Sequence, residues 1–396
     1  MISNRTWNQF KIKNGNKTLV LDTIRNHSPI SRADVAKKTG LNKGTVSSQV
    51  SELLDEELIY EKGPGKSSGG RRPVMLLFNQ KAGYSIGIDI GVNYILGLLT
   101  DLEGNIVGET FTGFKNLSYQ SITKKIFHVV DELMAACPLS KYHIVGIGIG
   151  VPGAVNKHGQ VLYAPNLGWQ NIDLKPLMEK RYDCPVVIEN EANAGAYGEK
   201  RFGPNVNEND LVYVSVGVGI GVGFILNGEL YRGTGGFSGE MGHTSIEVNG
   251  QKCRCGNRGC WELYASEQAL IKKADENADP ETLEIMLKKA ESGDKEAIET
   301  FHNIGKYLGA GVANIINSFN PKQVIIGNRL AAAKRWLENP MLEQTKNSAL
   351  WFQQEELEIS FSALNTHSAA LGMAAFSFEN FLKTSLQQET PYIEHQ

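Results

Sequence analysis

The sequence predicts an α/β protein with a small basic head, residues 1–80, and a larger two-lobed body, residues 81–396. A chain of 396 residues is too long for one average core. The head carries 13 Lys and Arg against 7 Asp and Glu, whereas the body carries 27 against 36. From residue 83 onward, short β-rich runs broken by glycine replace the helical pattern of the head. This charge distribution favours contact of the head alone with a polyanion.

Three helices are predicted in the head. Residues 16–26 place apolar side chains on one face of a first helix. The second helix has Ser31 as its N-cap, with an acid three residues later, and ends at Gly40. The third has Asn42 as its N-cap and repeats apolar residues at helical spacing over 46–58. Two short helices joined by a tight turn that contains glycine indicate a helix-turn-helix, whose second helix enters the DNA major groove.

Two strands, 59–62 and 73–78, follow these helices, and the loop 63–72 between them is flexible and basic, as the wing of a winged helix-turn-helix needs to be. The third helix is expected to expose the polar face of its N-terminal half, from Asn42 to Gln49. The residues assigned to DNA binding are Ser31, Asn42, Lys43, Thr45, Ser47, Ser48, Gln49, Arg71 and Arg72. A helical hairpin that binds only protein is the alternative, but the turn, the wing and the local charge together favour DNA.

The body contains one pattern twice. Its predicted elements are three strands within 84–113, a helix over 121–136, a strand over 143–153, a strand over 185–188, a strand–turn–strand unit over 211–233, a helix around 306–319, a strand over 322–327 and a final helix after 368. Each half opens with a glycine-rich strand–turn–strand unit, which predicts two α/β lobes with a cleft between them. The run ENEANAG, residues 189–195, follows a strand, and the carboxyl ends of strands are where open α/β sheets usually bind ligands.

A tetrahedral Zn²⁺ site is predicted from one histidine and three cysteines in a short segment. The four ligands are His243, Cys253, Cys255 and Cys260, and Gly256 and Gly259 let the chain fold around the ion. Because four protein ligands close the coordination sphere, a structural ion is favoured over a catalytic one. The alternative, reduced cysteines beside an unrelated histidine, is disfavoured because free cysteines rarely cluster in an Arg- and Asn-rich loop.

Other features exclude whole classes of protein. Apolar runs stay well short of the roughly 20 residues of a membrane helix. The N-terminus is polar and lacks the apolar stretch of a signal peptide, so we expect a cytoplasmic protein. Cys137 and Cys184 lie in apolar surroundings and are expected in the core.

From about residue 83 to the end, several motifs together resemble the ROK family of repressors, open reading frames and sugar kinases. These motifs are Val151-Pro152-Gly153, PNLGW at 165–169, ENEANAG, the glycine-rich run 217–223, GEMGH at 239–243 and CRCGNRGCWE at 253–262. The resemblance implies an actin-like sugar-kinase fold. With the winged head, nearly the whole chain resembles the ROK transcriptional repressors, and among them the xylose repressors.

The resemblance places six residues around a sugar: Asn166, Asn190, Glu191, Glu240, His243 and Glu262. Amides and carboxylates suit sugar hydroxyls, which both donate and accept hydrogen bonds. His243 would bind zinc through one ring nitrogen and a hydroxyl through the other. Trp169 fits a sugar-stacking role and a core role equally well. The role of Glu189 stays unassigned.

Four departures from the pattern of the family's kinases argue against phosphoryl transfer. The first-lobe turn, Asp89–Tyr94, lacks the Gly-Thr-Lys of the kinases, and the second-lobe turn has Gly217-Val218 where they have Gly-Thr. Where the kinases have a pair of glycines on the adenosine side, this sequence has Gly327-Asn328. The catalytic base, which is Asp in the kinases, corresponds to Glu191. We therefore expect no enzyme and no bound nucleotide, but a dimeric repressor that a sugar releases from its operator. A bifunctional kinase–repressor and a constitutive DNA-binding protein with a degenerate body are the alternatives.

The length of Glu191 favours a pentose as the sugar. The resemblance implies that this residue faces the hydroxyl that the kinases phosphorylate, which is at C6 in their hexokinase-like members. The carboxylate of Glu191 extends one methylene further than the Asp of the kinases and would intrude on that end. Xylose is therefore expected, with glucose as a weaker competitor.

Overall fold

The computed structural model describes residues 4–64, 73–204, 206–274 and 282–385. Within these ranges, no helix combines the length and apolar character needed to cross a membrane. The head comprises α1 (Asn4–His27), β1 (Ile30–Ser31), α2 (Arg32–Thr39), α3 (Lys43–Asp55), β2 (Ile59–Pro64) and β3 (Val74–Phe78). Its three strands form one antiparallel sheet in the order β1-β3-β2.

The predicted ends of the two helices in the helix-turn-helix are confirmed. Ser31 caps α2 by accepting a hydrogen bond from the Asp34 N–H, and Gly40 ends the helix with φ 72°. Asn42 caps α3 by accepting from the Thr45 N–H. The first helix begins before the predicted residue 16, at Asn4.

The first lobe is built on a five-stranded sheet in the order β11-β7-β4-β5-β6. The elements from its first strand to the helix that leaves its last strand are β4 (Tyr84–Ile90), β5 (Tyr94–Asp101), β6 (Ile106–Gly113), α4 (Tyr119–Ala135), β7 (Ile144–Val151), β8 (Ala154–Val155), β9 (Val161–Ala164), β10 (Trp169–Ile172), α5 (Leu174–Tyr182), β11 (Val186–Asn190) and α6 (Glu191–Phe202). Strands β4, β5 and β6 form an antiparallel meander, while β7 pairs in parallel with both β4 and β11.

The second lobe repeats this topology in the order β14-β13-β12-β15-β16. Its elements, with the helix that returns to the first lobe, are β12 (Leu211–Val216), β13 (Ile220–Leu226), β14 (Glu229–Leu230), α7 (Glu262–Ala265), α8 (Glu267–Ala274), α9 (Thr282–Glu291), α10 (Lys295–Phe319), β15 (Gln323–Gly327), α11 (Lys334–Ser348), β16 (Glu358–Phe361) and α12 (Ser368–Ser385). Again a meander is extended by two parallel strands. The predicted duplication is therefore present in the strand order of both sheets.

Helices α6 and α12 join the lobes. Helix α6 packs on β12 and β13 of the second lobe, α12 packs on β4 and β7 of the first, and the two helices pack on each other. A Cβ atom added to Gly198 would lie 2.0 Å from the Ser368 carbonyl oxygen, and one added to Gly372 would lie 1.9 Å from that of Ala194. The backbones therefore touch where the helices cross, and the carboxyl ends of both sheets meet at one cleft.

The head shares a hydrophobic cluster with the body. Val20, Ile24 and Leu53 of the head pack with Phe378 and Leu382 of α12. The guanidinium carbon of Arg25 lies 4.9 Å from the centre of the Phe378 ring. At the C-terminal end of α3, the Lys141 ammonium donates to the Asp55 carbonyl oxygen at 2.8 Å and the Tyr142 hydroxyl to that of Glu56 at 2.9 Å. The head is thus fixed to the first lobe and to α12 by packing and hydrogen bonds.

Candidate functional site

A polar cavity lies between the two lobes. The first lobe contributes the turn at 91–94 and residues 152–153 and 165–166, and the second lobe contributes 217–221, 238–240, 243 and 328–329. The lining includes all six residues predicted to surround a ligand, namely Asn166, Asn190, Glu191, Glu240, His243 and Glu262. The predicted set is therefore brought together, although it comes from four separate segments.

Glu191 is the first residue of α6, and contacts from the second lobe orient it. Its Oε1 accepts hydrogen bonds from the Ser215 hydroxyl at 2.6 Å and from the Asn328 amide at 2.8 Å. Asn328 also donates to the Ser215 hydroxyl at 2.9 Å. Burial raises the pKa of Glu191, while the two hydrogen bonds oppose that shift. Asn328 replaces a glycine of the kinase pattern, and its amide now holds this carboxylate.

Asn190 has a structural task that sequence reasoning missed. Its Oδ1 accepts from the backbone N–H groups of Ala192 at 2.9 Å and Asn193 at 3.1 Å, which makes it the N-cap of α6. Its amide nitrogen donates to the Gly153 carbonyl oxygen at 2.9 Å. An Asn directly before a helix is a capping signal that was available in the sequence. The cap fixes the start of α6, and with it the position of Glu191.

The donor atoms of His243, Cys253, Cys255 and Cys260 all lie within 4.8 Å of one another. The Cys253 sulfur is 3.7 Å from His243 Nδ1, and the Cys255 and Cys260 sulfurs are 3.7 Å apart. A tetrahedral site with Zn–S bonds of about 2.3 Å has sulfur–sulfur edges of about 3.8 Å, so this donor set fits a metal ion of that kind. The predicted ligand set therefore forms a cluster that is able to hold a metal.

Glu262 lies at the border of the metal cluster and the cavity. Its Oε1 is 3.3 Å from the Cys253 sulfur and 3.5 Å from His243 Nδ1. A Cβ atom added to Gly219 would lie 2.9 Å from Glu262 Oε2, so this carboxylate reaches the backbone of the second-lobe turn. Because His243 faces the cysteines through Nδ1, Nε2 is the ring nitrogen that is left for the cavity.

The first-lobe turn buries an acid instead of presenting it. Asp89 is 1 % exposed, and the Tyr94 hydroxyl donates to its Oδ2 at 2.7 Å. Asp89 Oδ1 is buried without a hydrogen-bond partner in the described chain. Burial, and then the nearby charge of Glu191, raise the pKa of Asp89 well above its usual value. Tyr94 stands where the kinase pattern has lysine, and its hydroxyl is hydrogen-bonded to this carboxylate.

Arg329 spans the cleft beside this turn, another contact that sequence reasoning missed. Its guanidinium donates to Asn93 Oδ1 of the first lobe at 3.0 Å and to Glu284 Oε1 of the second lobe at 2.9 Å. It also lies 3.4 Å from Glu267 Oε2. Burial raises the pKa of Glu267 to about 7, and Arg329 opposes that shift. Asn93 and Arg329 are 236 residues apart, so local patterns gave no indication of the pairing.

The predicted DNA contacts are only partly accessible. Asn42, Lys43, Ser47 and Ser48 are exposed and Thr45 is half-buried. The prediction that Gln49 belongs to the exposed face is wrong, because this residue is 3 % exposed between the buried Val46 and Val50.

Ser31, assigned to the same DNA-binding set, is also buried. It is 4 % exposed, and its hydroxyl donates to Asp34 Oδ2 at 2.6 Å. Neither Ser31 nor Gln49 therefore offers a free polar group to DNA. Arg71 and Arg72 lie outside the described residues.

Trp169 and the two remaining cysteines belong to the packing of the first lobe. Trp169 is 1 % exposed and meets the Tyr119 ring edge-on at 5.4 Å, so the core role is the one it has. Cys137 and Cys184 are half-buried and pack against the same core.

Residues 85–379 match the ROK family, and residues 14–60 match the winged helix-turn-helix DNA-binding family. The chain belongs to the ROK family. It is 45 % identical over 371 residues to the xylose repressor of Bacillus subtilis, covering 94 % of this chain and 97 % of that protein. The fold predicted from the sequence, a winged helix-turn-helix followed by an actin-like ROK body, is confirmed.

Solved ROK structures agree with this assignment. A ROK transcriptional regulator described as a homologue of Escherichia coli MLC is 27 % identical, with a TM-score of 0.78 over 95 % of this chain and 98 % of that one. The ROK glucokinase of Streptomyces griseus, solved with glucose and AMPPNP, is 29 % identical with a TM-score of 0.67. The match extends over 74 % of this chain and 99 % of the glucokinase chain. ROK repressors and ROK kinases thus share the body of this protein.

Because Asp89 is a buried acid, we predict that Asp89→Asn raises the melting temperature and that the increase depends on pH. Because the folded-state pKa of Asp89 is raised, its contribution to stability is present at low pH and is lost as pH rises from about 4, the usual Asp value, through the folded value. Asp89→Asn should therefore melt at least about 2 °C above wild type at pH 8, with the gain vanishing toward pH 4.

Asp101→Asn is the matched control, measured by the same thermal denaturation. Asp101 is also buried, but its oxygens accept hydrogen bonds from the Glu103 and Asn105 N–H groups and the Asn105 amide. This substitution should lower the melting temperature at pH 8. A lower melting temperature for Asp89→Asn at pH 8 would contradict the assignment of an unfavourable buried charge.

Proposed function

We propose that this ROK protein is a sugar-responsive transcriptional repressor. Its head, residues 1–80, binds operator DNA, and its body, residues 81–396, binds a sugar between the lobes and releases the operator. The observation that carries the proposal is the presence, in one chain, of an accessible polar face on α3 and a cleft lined by carboxylates, amides and an imidazole. The similarity to the xylose repressor, which extends over head and body together, supports it.

The six cavity residues form the sugar site in this proposal. Carboxylates accept hydrogen bonds from sugar hydroxyls, and the amide of Asn166 both donates and accepts. Ser215 and Asn328 hold Glu191 through Oε1, which leaves Oε2 for a sugar hydroxyl. The extra methylene of Glu191 restricts the end of the site where a hexose carries C6. D-xylose is therefore the favoured effector, with glucose as a weaker competitor.

A structural zinc ion is the metal that we assign to the His/Cys cluster. Three thiolates and one imidazole are a preferred Zn²⁺ donor set, and the spacing of the donor atoms fits tetrahedral coordination. When bound, zinc would cross-link the segment around His243 to the loop 253–260. The chain's own contribution is to place Glu240, His243 and Glu262 on one wall of the cavity.

The proposal assigns no phosphoryl transfer to this chain. A kinase needs its first-lobe turn and its nucleotide cleft open to ATP phosphates and Mg²⁺. Here the Tyr94 hydroxyl donates a hydrogen bond to Asp89, and the Asn328 amide donates one to Glu191. Arg329 links Asn93 of the first lobe to two acids of the second lobe. A bifunctional kinase–repressor would instead release ADP when given sugar and ATP, which a coupled assay detects directly.

Helices α6 and α12 connect the sugar site to the head in this proposal. Helix α6 begins with Glu191, and near its other end Arg201 pairs with Glu379 of α12 at 3.1 Å. Helix α12 continues into the head, where Phe378 packs against Arg25. A change in lobe closure that moves α6 relative to α12 therefore reaches the base of the head. Sugar shifts the population toward the arrangement with lower operator affinity.

The repressor acts as a cytoplasmic homodimer in this scheme. Helix-turn-helix dimers read two half-sites about one DNA turn apart, so a small rotation of each lobe changes whether both heads fit. A constitutive DNA-binding protein with a degenerate body would show the same operator binding without any response to sugar.

Operator release by xylose is the first test of the proposed function. A duplex selected by the purified protein from a random library should bind in fluorescence anisotropy, and saturating D-xylose should weaken that binding at least about fivefold. Equal concentrations of L-xylose serve as the control for nonspecific effects. Unchanged operator affinity at saturating D-xylose would rule out release by D-xylose, and unchanged affinity at saturating D-glucose as well would contradict the proposed release by sugar.

Glu191→Asp tests the proposed selectivity for a pentose. Calorimetry should show that wild type binds D-xylose more tightly than D-glucose. Shortening the side chain by one methylene should narrow that difference by about tenfold, because one methylene contributes roughly 1–3 kcal/mol to discrimination. A wild type that prefers glucose, or a variant without any relative gain for glucose, would refute the steric explanation.

Loss of the metal should weaken sugar binding and spare DNA binding. Wild type should carry about one zinc ion per chain in mass spectrometry, and Cys255→Ser should lose it. The variant should also bind D-xylose at least about tenfold more weakly than wild type. Its sugar-free operator affinity should stay close to that of wild type, because the head packs on the first lobe and on α12, whereas the cluster belongs to the second lobe. Cys184→Ser, which removes a thiol outside the cluster, should retain both zinc and xylose. Full zinc content in Cys255→Ser would contradict the ligand assignment.

A further inference from the structure

The segment 231–239 of the second lobe reaches the cavity at its C-terminal end. It follows β14 and leads into the short 3-10 helix Glu240–His243. Ser238 and Gly239 line the cavity directly. The Ser238 N–H donates to the Arg232 carbonyl oxygen at 3.2 Å. The Ser238 hydroxyl donates to the Tyr231 carbonyl oxygen at 2.6 Å. The position of Arg232 therefore helps to determine where Ser238 lies, and Glu240 follows two residues later.

Glu189 is a buried acid whose two oxygens are both occupied. Its Oε1 accepts from the Asn190 N–H at 2.9 Å and from the Asn193 amide at 3.1 Å. Its Oε2 accepts from Arg232 Nε at 2.6 Å. The first two partners lie at the start of α6, whereas Arg232 lies in the segment 231–239 of the second lobe, which reaches the cavity at Ser238 and Gly239. Glu189 thus connects the end of β11 to the segment 231–239.

Arg232 has a second contact that fixes its direction. Its guanidinium carbon lies 5.4 Å from the centre of the Phe376 ring of α12, within the range of a cation–π interaction. The Glu189 side chain is only 9 % exposed, and a buried carboxylate is costly unless it is paired and hydrogen-bonded. The pair therefore has one well-defined geometry, in which the carboxylate lies at the end of β11 and the aromatic ring on α12.

We propose that Glu189 and Arg232 are a positioning pair for the sugar site. They hold the segment 231–239 against the end of β11, and so keep Ser238 and Glu240 in the lining of the cavity that Glu191 also lines. The inference rests on the proposed sugar-binding function. It also gives the first acid of ENEANAG a role distinct from that of Glu191, which contacts the sugar itself.

A double-mutant cycle on D-xylose affinity tests the pair. The variants are Glu189→Gln, which keeps an acceptor for the Asn190 N–H, Arg232→Met, which keeps an apolar chain against Phe376, and the double substitution. Each single variant should bind D-xylose about tenfold more weakly in calorimetry, and the double variant should lose little more than either single. Losses that multiply in the double variant would overturn the proposal, because independent residues behave in that way.

Hydrogen exchange of the sugar-free protein supplies a readout that does not depend on sugar. The amides of 231–243, including that of Ser238, should exchange faster in Arg232→Met than in wild type. Unchanged exchange there would overturn the positioning role. If wild-type protein binds no D-xylose while Arg232→Met still loosens this segment, the proposed effector fails and the positioning role stands.

Arg181→Met is the matched control. Arg181 pairs with Asp131 at 2.7 Å, and its guanidinium carbon lies 4.6 Å from the centre of the Phe127 ring, so it has the same two kinds of contact away from the cavity. This variant should keep wild-type xylose affinity and wild-type exchange of 231–243. Equal losses in Arg181→Met and Arg232→Met would show a general effect on stability and would overturn the specific role of the pair.

Discussion

The close crossing of α6 and α12 is the constraint on which the rest of the structure depends. Each helix covers the sheet of a different lobe, and glycines at 198 and 372 let the two backbones touch. The same closeness continues onto the first sheet, where a Cβ atom at Gly87 would lie 1.9 Å from the Ala370 carbonyl oxygen. Because both lobes are anchored to this crossing, the ends of their central strands face one cleft. Small relative movements of the lobes are consequently movements of two helices in direct contact.

Much of the fold followed from local patterns, because those patterns report local physics. Caps at Ser31 and Asn42, the repeated strand–turn–strand units and the dense cysteine run each depend on residues close in sequence. The six cavity residues came from family resemblance, and they do line one cavity. Gln49 was misjudged because it lies at the edge of an apolar stripe, where one residue's rotation around the helix decides between core and solvent.

Long-range contacts were beyond sequence reasoning. The pairing of Arg329 with Asn93 and that of Asn328 with Glu191 join segments 236 and 137 residues apart. The resemblance to the ROK family predicted that the residues at these positions depart from the pattern of its kinases. It did not show that the replacements make contacts of their own. In the structure, the Tyr94 hydroxyl donates to Asp89, the Asn328 amide donates to Glu191, and Arg329 bridges the lobes through Asn93. The altered positions are therefore integrated parts of the cleft.

The shared core of head and body has a consequence for how the protein is made. The head is translated first, but Phe378 and Leu382, which complete its core, follow Phe78 by about 300 residues. At synthesis rates of about 5–20 residues per second, that is a delay of about 15 to 60 seconds. During that interval the nascent head exposes the apolar surface that α12 later covers. A chain that stops before α12 keeps that surface exposed permanently, so truncated products present themselves to chaperones and proteases. The hydrophobic core of the head is therefore complete only after α12 has been synthesised.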